Sequence, residues 1–153
     1  MRIWIDADAT PRPVKEIVFR ASKRLGIEAV LVANTYLRPP AGNDFVTSVC
    51  VEGGADVADR YIVDHAVAGD LVVTQDIPLA ALLVPNRIAV LDPRGEEHDA
   101  DTIGERLSIR DFMDSLRSAG ATTQGPPPFD ARAKHAFATA LDRVLTRLNR
   151  SGR

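Results

Sequence analysis

A single cysteine, Cys50, is present in the chain. It cannot close an intramolecular disulfide, and there is no cysteine cluster to hold zinc. The histidines are as scarce: His65, His98 and His135 share no spacing that a metal site would need. Long hydrophobic runs are absent too, since no stretch approaches the roughly 18 apolar residues of a membrane span. The first residues read as a strand and not as a basic, then apolar, leader, so a cytoplasmic location and no membrane partner are expected. There is no internal repeat and no long low-complexity segment. A large excess of charge of one sign is also missing: the formal net charge is −2, which excludes a chain that is basic throughout.

Charge is nevertheless unevenly placed. Residues 1–43 balance at +3, residues 44–114 at −10 and residues 115–153 at +5. An acidic middle between basic ends fits a metal-binding centre flanked by phosphate-attracting surface. Solvated helix faces would produce the same balance. At 153 residues and 45% hydrophobic content, a single globular domain is expected.

The chain opens with IWIDADATPRP. Ile3, Trp4 and Ile5 read as a buried parallel strand (2–6) that runs straight into Asp6 and Asp8. Two carboxylates so close repel one another, and burial raises the cost of ionising either. Pro11 or Pro13 marks a helix start, and Val14, Ile17, Val18, Ala21 and Leu25 follow at helical spacing up to Gly26. IEAVLVAN (27–34) is a second strand ending on Asn34, and FVTSVCVE (45–52) a third, nearer an edge. ADVADRYIVDHAVA (55–68) predicts a helix with Val57, Tyr61, Ile62, Ala66 and Val67 inward. DLVVT (70–74) is the clearest buried strand, PLAALLV (78–84) a short helix and RIAVL (87–91) a fifth strand. Strands alternating with helices predict a three-layer α/β domain around a mostly parallel sheet.

Beyond Asp92-Pro93 the pattern turns helical. Thr102 with Glu105, and Ser108 with Asp111, resemble helix-start boxes. GPPP (125–128) reads as a stiff linker. A last helix over 130–149 sets Ala133, Phe137, Leu141, Val144, Leu145 and Leu148 along one stripe. One domain over 1–153 follows, with an α/β core (1–95) and a C-terminal helical extension (96–150).

Ligands of open parallel sheets bind beyond the C-terminal strand ends. Asp6 and Asp8 follow strand one, Asn34 closes strand two, Asp76 follows LVVT, and Asp56 and Asp59 open the helix before it. Oxygen donors without His or Cys suit Mg²⁺ or Mn²⁺. Helix capping by Asp6 or Asp8, by Asp56 or Asp59, and by Asp76 is the plainer alternative.

DADATPRPVKEIVFRAS, VANTYLRPP, GGADVADRYIV, GDLVVTQDIPLA, DPRG, RDFMDSLRSAG and GPPPFDARAKHAFATALDR resemble successive motifs of the YaiI/YqxD family of small bacterial proteins. The resemblance covers nearly the whole chain. Thr10 stands where that family usually has cysteine, which argues against obligatory thiol chemistry there. Asp92 stands where its Pro-Arg-Gly turn usually begins with Asn.

That family is in turn similar to PIN-domain nucleases, which cut RNA with acidic residues and Mg²⁺ or Mn²⁺. The resemblance implies a PIN-like sheet of order 3-2-1-4-5. It matches Asp6, Asp59 and the Thr74-Gln75-Asp76 run to the metal-holding pattern, with Asp8 as a further catalytic acid. Asn34, Asp56, Thr74 and Arg94 are candidate supporting residues. The implied function is a metal-dependent nuclease or phosphodiesterase, with RNA the expected substrate.

IWIDADAT also fits the Asp-x-Asp-x-Thr signature of haloacid-dehalogenase-type phosphatases, in which the first Asp is the nucleophile. The remaining signature fails, because Lys15, Lys23 and Lys134 are the only lysines and none follows Thr74 at the right place. A non-catalytic binding protein on the same fold is the other alternative. Cys50 reads as core and the histidines as surface or helix-face residues. Turn geometry accounts for Pro93 and Gly95, and Lys134, Arg143, Arg147 and Arg150 for a solvated face.

Overall fold

Apolar residues that alternate between two sides of a strand need cover on both, and the strands here have it. The computed structural model describes residues 1–120 and 128–151. Strand β1 (Arg2–Asp6) lies between β2 (Glu28–Ala33) and β4 (Leu71–Val73), parallel to both. Strand β3 (Val46–Cys50) pairs with β2 at one edge, and β5 (Ala89–Leu91) with β4. The order β3-β2-β1-β4-β5-β6 contains the expected five-strand arrangement and adds one strand. That strand, β6 (Glu97–His98), runs antiparallel to β5. Two residues offer no periodicity to read.

One sheet face carries Ile3, Ile5, Leu31, Leu71 and Leu91. Over it pack α1 (Arg12–Leu25), through Val14 and Val18, and α5 (Ala131–Ser151), through Phe137, Leu141, Val144 and Leu145. The other face carries Trp4, Val30, Val32, Val72 and Val90. It is covered by α2 (Ala55–His65) through Ala58 and Ile62, and by α3 (Ile77–Leu83) through Leu79 and Leu83. The result is three layers. A further helix, α4 (Ile103–Ser118), lies against α3 and contributes no buried residue of its own.

At the N-terminal end of the sheet, the buried Asp70 accepts from the backbone N–H groups of Arg2 and Val67 and from Trp4 Nε1, each at 3.0 Å. Three donors hold this carboxylate, which ties β1 to the start of β4.

Several local expectations are corrected. Val57 and Val67 point to solvent, and Ala58 takes the inward place; Val67 lies past the helix, which ends at His65. Cys50 is exposed, because β3 is an edge strand and Cys50 its last residue. His98 is buried, as a residue of β6 paired with Val90 in the sheet. Ser108 lies inside α4 and starts no helix; the turn before α4 is closed by Asp99, whose Oδ1 accepts from the N–H groups of Asp101 and Thr102. In the GPPP linker, residues 125–127 lie outside the described residues.

Candidate functional site

Strand order reverses between β1 and β4, and the crevice at such a point is where ligands of open sheets bind. Asp6 ends β1 there, only 6% exposed. Thr74, fully buried just past β4, donates from Oγ1 to Asp6 Oδ2 at 2.9 Å and accepts from the Asp76 N–H at 3.0 Å. Asp76 then caps α3, with Oδ1 accepting from the Leu79 N–H at 3.0 Å. One hydroxyl thus bonds both the Asp6 carboxylate at the end of β1 and the Asp76 backbone just past β4.

Residues Ala7–Ala9 form a single 3-10 turn. Asp8 therefore does not continue the extended run of β1: the chain turns at once to enter α1. The turn is fixed by Thr10 Oγ1, which donates to the Asp6 carbonyl at 2.7 Å, and by Gln75 Nε2, which donates to the Ala9 carbonyl at 2.5 Å. Asp8 is left exposed, and its Oδ2 accepts from the Asn34 N–H at 2.7 Å. Asp6, Asp8, Asp59 and Asp76 line one cleft of about 430 Å³, together with Gln75 and Arg110.

Capping explains only one of these acids. The N-cap of α1 is Pro11 and that of α2 is Gly54, neither with a side-chain cap. Asp76 is a cap and a cleft residue at once.

The electrostatics follow from crowding. Burial pushes the Asp59 carboxyl up to about 7; the charges of Asp76 and Asp6, a hydrogen bond with Asp76, and the charge of Asp56 push the same way. Asp6 is also raised, chiefly by burial, with the Thr74 hydroxyl opposing and Asp76 and Asp8 adding repulsion. Burial and crowding thus both favour the protonated form of Asp59. Among the described residues, no three His, Cys, Asp or Glu side chains are set as a ready-made metal cage. The donors nonetheless suit a hard ion: several crowded carboxylates, open on one side, match ions that take a few protein oxygens and keep most of their water.

The other candidates lie further out. Asp56 is exposed and acts on Asp59 through its charge. Asn34 holds Asp8 through its backbone, while its own Oδ1 is buried without a hydrogen-bond partner. Arg94 is not among the residues lining the cleft, and its guanidinium lies 6.0 Å from the Phe129 ring centre. Arg110 was not foreseen. It stands on α4 with Nη1 3.2 Å from both Asp111 Oδ1 and Asp114 Oδ2, and it reads in sequence as part of a solvated, ion-paired face. The contact of α4 with α3 brings it to the acids.

Residues 4–147 match the family described as "Uncharacterized BCR, YaiI/YqxD family". Similar chains include the UPF0178 protein of Myxococcus xanthus, 54% identical over 148 residues that span 97% of this chain and 96% of that one. The UPF0178 protein of Geobacter metallireducens is 54% identical over 153 residues, covering 100% and 98%. That of Trichlorobacter lovleyi is 53% identical over 154 residues, covering 100% and 99%. No solved structure matches the chain.

Proposed function

The chain belongs to the YaiI/YqxD family, and from the geometry of its cleft we propose that it is a divalent-metal-dependent phosphodiesterase acting on nucleic acid, with RNA as the leading substrate. One observation carries this reading: Asp6 from β1, Asp8 from the turn after it, Asp59 from α2 and Asp76 at the cap of α3 line one cleft where β1 and β4 end. Repulsion there is sustained by burial, which is unfavourable unless a cation or a proton relieves it. Asp6, Asp59 and Asp76 are the residues that the PIN-like resemblance of the sequence would assign to the metal.

Asp6, Asp59 and Asp76 would hold the ion. A bound Mg²⁺ or Mn²⁺ supplies charge for the phosphate oxygens and acidifies water at neutral pH. Thr74 keeps Asp6 in place, and Asp8, exposed and anchored by the Asn34 N–H, is set to orient the attacking water and accept its proton. Arg110, the cation among the lining residues, would offset charge that develops on the phosphate.

The test is a cleavage screen over RNA, DNA and small phosphate esters with Mn²⁺, Mg²⁺ or EDTA. Metal-dependent cutting of a nucleic acid is expected. Asp6→Asn and Asp76→Asn should each slow it by more than the about 10–100-fold that outer-shell changes cost. No cutting by a folded protein with either metal would leave the non-catalytic binding protein. Hydrolysis of small esters, with beryllofluoride trapped on Asp6, would favour the phosphatase. Asp6 is poorly disposed to be a nucleophile, being buried with one oxygen committed to Thr74.

A further inference from the structure

A second groove, of about 340 Å³, has a character opposite to that of the acidic cleft. Its charged rim carries Arg12, Lys15 and Arg38, with Glu16 the one acid among the lining residues. Its floor is apolar, formed by Phe19, Leu31, Leu37 and Pro40. Arg12 and Arg38 are exposed, and Lys15 is half-buried.

Two contacts tie residues of the groove and of the loop leading into it to the turn that carries Asp8. Lys15 Nζ donates to the carbonyl of Ala7, at 3.4 Å, in the turn that carries Asp8. Asn34, whose N–H holds Asp8, opens the loop that leads to Leu37 and Arg38. Cations above an apolar floor, beside clustered acids, match a ligand that alternates phosphate with flat apolar rings.

Resting on the phosphodiesterase reading, we infer that this groove binds a single-stranded segment of nucleic acid next to the bond to be cut, with phosphates on Arg12, Lys15 and Arg38 and an unstacked base on the Phe19–Leu37 floor. A duplex keeps its bases stacked inside and presents mainly phosphates, so it would leave the apolar floor unused. A single strand engages both halves of the groove, and stacking on side chains tolerates any base. Arg12 also contacts Glu16, at 3.4 Å, but both side chains are exposed and such a pair is weak; on α5, Arg147 is paired with Glu97.

The experiment is a titration of the full chain, in EDTA so that nothing is cut, against labelled strands of about 12 nucleotides. RNA and DNA form separate arms, and a duplex of equal length is the comparison. Wild type should bind a single strand more tightly than the duplex. Arg12→Ala/Lys15→Ala/Arg38→Ala should weaken binding by about tenfold or more and lower the salt slope by about 2. The control Lys134→Ala/Arg143→Ala/Arg150→Ala removes as much charge from α5 and should retain most of the affinity. Leu37→Ala should narrow the preference over duplex.

The inference is overturned if wild type binds no strand, if duplex binds equally well, if the groove variant binds like wild type, or if the α5 control loses as much. Its failure is separable from that of the phosphodiesterase reading. Strand binding through the groove without cleavage under any metal would sink the reaction and keep the groove. Cleavage that ignores the groove variant would do the reverse.

Discussion

Asp76 has two tasks, and a single substitution separates them. Asparagine caps a helix about as well as aspartate, so Asp76→Asn should keep the start of α3 while removing a charge from the cleft. Without metal, its melting temperature should equal or exceed that of wild type. With Mn²⁺, the rise that mass action gives wild type should shrink. Asp6→Asn should behave alike. Asp142→Asn, which loses only an exposed pairing with Arg24 at 3.8 Å, should shift stability by no more than about 0.5 kcal/mol. Wild-type melting that ignores both metals would show the acids to be structural. Asp59 adds a pH dependence. Its folded-state value is about 7 against an ordinary 3.8, so between these the folded chain binds more protons than the unfolded one. Stability in EDTA should therefore fall as pH rises from 4 to 7 and level off above. Urea titrations across that range should find the slope reduced in Asp59→Asn. Position after a strand was enough to single out Asp6 and Asp76 in the sequence. Which acid caps a helix was not legible, because capping depends on dihedral angles at the helix start. Arg110 was hidden because its neighbours Asp111 and Asp114 made it look like an ordinary surface ion pair.

At the scale of elements, the turn after β5 is held by more than its own geometry. Gly95 has φ +92°, and a Cβ there would stand 2.7 Å from the Ala136 carbonyl oxygen on α5. Gly69 has nearly the same φ, +94°, with nothing within 4 Å of such a Cβ. Gly95→Ala should cost about 1–3 kcal/mol, and Gly69→Ala less; the difference, read from urea midpoints, isolates the contact with α5. Equal losses would reduce Gly95 to a turn residue. The sequence made that turn visible and left its neighbour unseen, since 41 positions separate Gly95 from Ala136. Long periodic stretches were legible: the stripe on α5 and the unbroken apolar strands needed no tertiary knowledge. Short pieces were not. The two-residue β6 and the 3-10 turn at Ala7–Ala9 arise from where the sheet ends and α1 begins. Helix α4 could be recognised, although its lack of a buried residue could not.

The molecule as a whole is joined by α5, whose Phe137 is fully buried against the same face as Ile3 and Ile5. Phe137→Ala should cost about 3–5 kcal/mol and unfold the sheet and helix in one transition. Separate transitions for the two would mean that the last helix is an independent appendage. Among the described residues no helix is long and apolar enough to cross a membrane. Trp4, the sole tryptophan, gives this unfolding an optical signal. Its indole is dry, bonded to Asp70, and has Tyr61 and His65 ring centres each 6.3 Å away. Fluorescence from the folded chain should therefore lie to the blue of the unfolded chain's, and one emission wavelength should follow the strand that ends at Asp6 without any added label.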